Sequence, residues 1–267
     1  MGAVELTVAD LDRSLDYYRD QIGLAVLEQN GGRASLGGHE GTEVLSLVEE
    51  TGAVPADGYS GLYHFALLLP ERRELARWLA HAARDRVQLT GLSDHYVSEA
   101  IYLRDPDHHG IEIYADRPRE TWEGQVMERM TSVPLNVDSL LGELDDPSTF
   151  EGLPAGTVMG HVHLRVSEIP ATIGFYRDVL GFDLMAALGP QAAFLSAGGY
   201  HHHIGANTWE SAGAPPAPEG AATLRHATIV IPDDATREEV LARVGESEET
   251  SQGPVVRDPS GNRLLLA

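Results

Sequence analysis

The chain has 267 residues, 42% of them hydrophobic, which suits one large or two medium folded domains and not a disordered polymer. Its 41 acidic residues outnumber 19 basic ones, all of them arginine, and the formal net charge of -22 gives a surface that repels nucleic acid and anionic membranes. Cysteine is absent, which excludes disulfides and thiolate chemistry; with no basic and apolar leader and no apolar run near membrane-spanning length, a cytoplasmic location is expected. The acids are spread from end to end, which reads as adaptation of the surface to high salt and not as a patch for one basic partner.

In chain order, the first segment, GAVELTVADLDRSLDYYRDQIGL (Gly2 to Leu24), reads as an alternating strand, a polar turn and an amphipathic helix. It returns as GHVHLRVSEIPATIGFYRDVLGF (Gly160 to Phe182). A second strand and helix pattern, LYHFALLLPERRELARWLAHAARD (Leu62 to Asp85), returns as LRHATIVIPDDATREEVLARVGE (Leu224 to Glu246). The matched endings are RDPDHHGIEIY (Arg104 to Tyr114) and RDPSGNRLLLA (Arg257 to Ala267).

Such self-similarity marks repeated supersecondary units. The chain divides into four, at roughly residues 1 to 50, 60 to 115, 159 to 210 and 222 to 267, each a strand, a helix and about three more strands. The expected class is α+β. Units one and two occupy 1–115, a connector 116–158 and units three and four 159–267; the connector should hold one helix near Val137 to Leu144, and SAGAPPAPEGA (Ser211 to Ala221) reads as a linker.

Alternate residues of a strand share a face. Glu112 lies out of phase with Ile111 and Ile113 in a closing strand that is otherwise apolar, where a carboxylate must be paired, solvated or bound to a metal. His64 opens unit two; His161, His163 and Arg165 share a face in unit three. Each lone histidine is as well explained by a satisfied structural role, but two imidazoles and one carboxylate with open positions opposite are the ligand set of a non-heme Fe(II) that binds substrate and O2. In YHHHIGANTW (Tyr200 to Trp209), read as a strand, every second histidine points inward, and His202 is favoured.

With these motifs the chain resembles the vicinal oxygen chelate superfamily of glyoxalases, antibiotic resistance proteins and extradiol dioxygenases, and within it the four-module bacterial catechol 2,3-dioxygenases. The resemblance spans essentially the whole chain and implies βαβββ modules forming two cup-shaped domains. It places ligands on first and closing strands. Modules three and four offer His161 and His226 but Leu265 at the glutamate position; modules one and two offer His64 and Glu112 but Ala3 at the first-strand position. Pairing two with three completes the set as His64, Glu112 and His161, and pairs one with four as an inert cup.

On the same basis His202 is the acid and base of the oxygen chemistry, near its ordinary pKa, Tyr102 bonds a substrate oxygen, and His95 is a further histidine upstream; His108 and His109 are expected to be solvated. The implied partners are a small aromatic diol and O2, with Fe(II) or alternatively Mn(II) as cofactor, and a homo-oligomer is compatible with exposed sheet edges. A glyoxalase-like lyase or isomerase and a metal-free binding protein are the competing readings.

Overall fold

The structure, a computed structural model, describes residues 1–146 and 150–267. Its strands form two large sheets. The nine-stranded sheet runs, edge to edge, Val133–Pro134, Leu89–Asp94, Ser98–Arg104, Gly110–Asp116, Gly61–Leu68, Val158–Arg165, Ile204–Asn207, Ala192–Ser196 and Asp183–Leu188, and so unites units two and three with a short strand of the connector. The eight-stranded sheet runs Glu248–Thr250, Gly253–Arg257, Arg263–Leu266, Leu224–Ile229, Val4–Val8, Glu43–Glu49, Arg33–Gly37 and Ala25–Asn30, from units four and one. Each sheet is joined at its middle by an antiparallel pair of first strands, Gly61–Leu68 with Val158–Arg165 and Val4–Val8 with Leu224–Ile229. This is an α+β fold, and none of the helices among the described residues is long and apolar enough to cross a membrane.

Alternation explains the layering. Along Val158–Arg165, Val162 and Leu164 enter the hydrophobic core with Phe65 and Leu67, whereas His161 and His163 take the opposite face. The helix Arg72–Asp85 puts Leu75, Ala76, Trp78, Leu79 and Ala82 on one buried stripe. Leu11–Tyr17 starts on an Asp10 side chain that accepts from the Arg13 N–H, then runs into a π-helical turn, Tyr18–Ile22, that ends at Gly23 with φ 90°.

The matched Asp-Pro turns bind the two sheets together. Asp105 Oδ1 accepts from the N–H groups of Asp107 and His109, and Asp258 Oδ1 from those of Ser260 and Asn262. Their other oxygens accept from helix hydroxyls of the preceding unit: Tyr18 Oη to Asp105 at 2.8 Å and Tyr176 Oη to Asp258 at 3.3 Å. His109 Nε2 lies 2.9 Å from the carbonyl of Thr7, and Asn262 Nδ2 donates to that of Arg165 at 3.5 Å. His109 is therefore buried and structural, contrary to the expectation of a solvated side chain; His108 is exposed, beside Asp57.

The described residues of the connector hold more regular structure than its composition suggests. Besides the expected helix, which is Val137–Leu141 and stops at Gly142, it holds a short helix Val126–Arg129, and Trp122 and Val126 pack on Ala192 and Phe194. The Pro- and Gly-rich run is tied down as well, by a hydrogen bond from Ser60 N–H to the Pro215 carbonyl and by pairing of Ala221–Ala222 with Val54–Pro55.

Tyr18→Phe leaves the ring packing in place and removes one donor from a buried carboxylate, so urea unfolding should show a loss of about 2 kcal/mol. Tyr176→Phe, with the longer bond, should lose less; an unchanged midpoint for both would show that the turns dock without these hydroxyls.

Candidate metal centre

Cross-strand register assembles the centre. Tyr102 lies opposite Glu112, Glu112 opposite Ala66, and Ala66 opposite His161, in one row across four strands of the nine-stranded sheet. Ala66 separates the two larger residues, and its methyl leaves them room to lean together. The adjoining row is His64, His163, Gly205 and Phe194. A Cβ on Gly205 would lie 2.8 Å from His163 Nδ1, so the absence of a side chain is what lets that imidazole lie over the strand.

His64, Glu112 and His161 are all buried, and their donor atoms lie within 4.8 Å of one another. Glu112 Oε2 is 2.9 Å from His64 Nε2 and 3.1 Å from His161 Nε2. Adjacent donors on a single first-row ion at about 2.1 Å are about 3 to 3.5 Å apart, so this spacing suits a shared ion. His64 Nε2, although close to the carboxylate, makes no hydrogen bond among the described residues, and a buried nitrogen without a partner is costly unless something else engages it. Burial alone would raise the Glu112 carboxyl, but the adjacent imidazoles hold it well below the usual range, while burial lowers His161. Among the described residues no guanidinium pairs with Glu112, and a buried carboxylate between two imidazoles is a donor set that suits a divalent cation. The residues present therefore fit a metal cofactor.

Beside this trio is a cavity of about 330 Å³, near the lower end of ordinary ligand sites. His95, Tyr102 and His202 all line it. His95 Nδ1 is 2.8 Å from the carbonyl of Thr131, which requires Nδ1–H to donate; Nε2 is then bare and accepts from the Tyr102 hydroxyl at 2.6 Å. Burial and the Glu112 charge push the Tyr102 phenol well above its ordinary pKa. Thr131 belongs to the connector, whose Met130 and Ser132 also form the wall.

His202 packs on His161 with ring centroids 4.0 Å apart. Its Nδ1 is 2.8 Å from His201 Nδ1, and His201 Nε2 is 2.8 Å from Asp116 Oδ1. One of the two Nδ1 atoms donates to the other; where it is His202 Nδ1–H, the His202 Nε2 is left as an acceptor. Burial depresses the His202 pKa well below its ordinary value, which corrects the expectation of an unperturbed group.

The alternation rule also fails for this cluster. Residues 201–203 lie in the turn before Ile204–Asn207, so His201 and His202 are both buried and His203 bonds to Ser196 instead. His201 and Asp116 were thereby missed, as was Tyr63, whose ring is 5.2 Å from His163 and 5.4 Å from Trp209.

The equivalent positions of the eight-stranded sheet hold Ala3, His226 and Leu265, and Glu5 lies opposite His226 where His163 lies opposite His64. Glu5 is buried and paired with Arg33 and, at 2.9 Å, with Arg225. Two guanidinium groups engage the carboxylate there, and among the described residues only His64, Glu112 and His161 form a three-residue group able to hold a metal.

The chain is 42% identical to a catechol-2,3-dioxygenase of Bacillus subtilis over 97% of its own length and 93% of that protein's. Among solved structures, a protein of Bacillus subtilis described as a dioxygenase matches all of the chain and 84% of its own, with a TM-score of 0.66 at 17% identity. Glyoxalase I of Zea mays matches all of the chain and 91% of its own, with a TM-score of 0.62 at 16% identity. At those identities the two structures speak for the fold alone. The model of the Glyoxalase/Bleomycin resistance protein/Dioxygenase superfamily matches residues 1–113 and 158–266, and the chain belongs to that superfamily.

Proposed function

We propose that the protein is an extradiol dioxygenase that opens a catechol ring beside its two hydroxyls. The observation that carries this reading is the near-full-length relationship to a protein named catechol-2,3-dioxygenase, in a chain whose cavity is lined by His64 and Glu112, two of the three residues that could share a metal. His64, His161 and Glu112 are proposed to hold the metal, Fe(II) in preference to Mn(II) because the reaction uses O2. When bound, such an ion stabilises the deprotonated diol near neutral pH and brings it together with O2. Both oxygen atoms enter the product as the carbon–carbon bond breaks, so no external reductant is needed.

The remaining residues orient the substrate and move its protons. With its hydrogen committed to His95, the Tyr102 oxygen accepts a hydrogen bond from a substrate hydroxyl, and the proton can pass on to His95 Nε2. His202 Nε2 provides an acceptor from the other side, its ring held by the His201–Asp116 chain. Lyase or isomerase chemistry of the glyoxalase kind is less well served. Gly205 lies opposite His163, two residues beyond His161, just as Glu112 lies opposite Ala66, two beyond His64, so the position for a second carboxylate has no side chain.

Supplied with Fe(II), catechol and air, the protein should form a yellow ring-opened semialdehyde that is followed by absorbance; bound iron with no product from any catechol would overturn the reading. Tyr102→Phe and His202→Ala should keep the metal and lose about 100-fold or more in kcat. Glu112→Ala should abolish metal binding measured by elemental analysis, whereas His226→Ala should leave it nearly intact, and the reverse pattern would move the centre to the other sheet. The acid-rich surface is proposed to be a salt adaptation: Tm should rise with NaCl as the repulsion of a -22 charge is screened, and a flat response would count against it.

A further inference from the structure

We infer that the cavity selects catechols whose ring substituent is uncharged and apolar and turns away those carrying a carboxylate; this rests on the ring-cleavage reading. The apolar part of the wall beyond the metal ligands is built from Tyr63, Leu103, Met130, Leu188, Phe194 and Trp209, and Ser93 and Ser132 add hydroxyls to it. Tyr63 lies against His64, with ring centroids 5.4 Å apart, and Phe194 against His202 at 5.1 Å, so the apolar surface starts at the candidate reaction centre. It runs outward to Trp209, whose indole meets Tyr63 edge-on at 5.4 Å and His163 at 5.7 Å yet stays 45% exposed. Leu188 is also exposed, at 40%. An apolar substituent on the ring would cover surface that is now wet.

A carboxylate would find only a counter-charge that acids already share. Among the described residues lining the cavity, Arg104 is the one guanidinium, and it is 3.3 Å from Asp57 and 3.8 Å from Glu210. Arg165, behind it, faces the same two acids at 3.8 Å and 3.7 Å. Two arginines thus meet two carboxylates, and His108 adds a further contact to Asp57. A substrate anion would share the Arg104 guanidinium with Asp57 and Glu210, in a cavity that already contains Glu112.

The test compares catechol, methylcatechol and protocatechuate on the iron-loaded protein, by anaerobic calorimetric binding and by kcat/KM in air. Methylcatechol should bind more tightly than catechol, and protocatechuate should fall behind methylcatechol by about 100-fold or more in both readouts. Equal or better binding of protocatechuate overturns the inference. Preferential binding of methylcatechol with no cleavage of any catechol supports it while removing the ring-cleavage reading, and failure of all three to bind removes both. Trp209→Ala should shrink the methylcatechol to catechol ratio in binding; an unchanged ratio would remove Trp209 from the selecting surface.

Discussion

The antiparallel join between Gly61–Leu68 and Val158–Arg165 is the contact on which the rest depends. It makes one sheet of two units that are far apart in sequence, and its register sets His163 opposite His64 and His161 opposite Ala66. Because side chains alternate along a strand, a slip of one residue would turn both histidines of Val158–Arg165 into the core and Val162 and Leu164 out of it. The same register therefore secures the core and presents the donors, and stability and site geometry are not separable there.

The second sheet shows the same architecture with a different set of buried charges. Its central pair, Val4–Val8 with Leu224–Ile229, has an equivalent register, but Ala3 and Leu265 remove two donors and Glu5 draws in Arg33 and Arg225. A buried carboxylate is tolerable in either sheet only with positive charge nearby. Arginines from the same sheet provide it around Glu5. At Glu112 the neighbours are two imidazoles, each with one buried nitrogen that has no hydrogen-bond partner among the described residues, and that difference in compensation distinguishes the two cups.

The layer around the trio is drawn from separate parts of the chain. Thr131 of the connector sets the His95 tautomer, Asp116 anchors His201, and Trp122 and Val126 support Phe194 on the cavity wall. The connector closes one side of the cavity. The Asp-Pro turns hold the two sheets at a fixed spacing through buried hydroxyl and carbonyl contacts, which gives a rigid frame to a site that none of the four units could form by itself.

The sequence by itself determined the fourfold repeat, the α+β class and the residue types able to ligate a metal, because strand alternation and repeat periodicity are local and survive in one dimension. Glu112 stood out as the carboxylate of an otherwise apolar strand, whereas the choice of His64 and His161 beside it rested on the resemblance to extradiol dioxygenases. The HHH tract was misread because it forms a turn, where period-two alternation does not apply, and His109 was misread because its partner, the Thr7 carbonyl, is more than a hundred positions away. Tyr63, Asp116, His201 and the cavity-lining connector residues had no local signal, since their roles come from contacts across units. Tertiary structure alone decided which tautomers the hydrogen-bond chains impose and which arginines are already neutralised, because both depend on distances between groups that the chain order does not constrain.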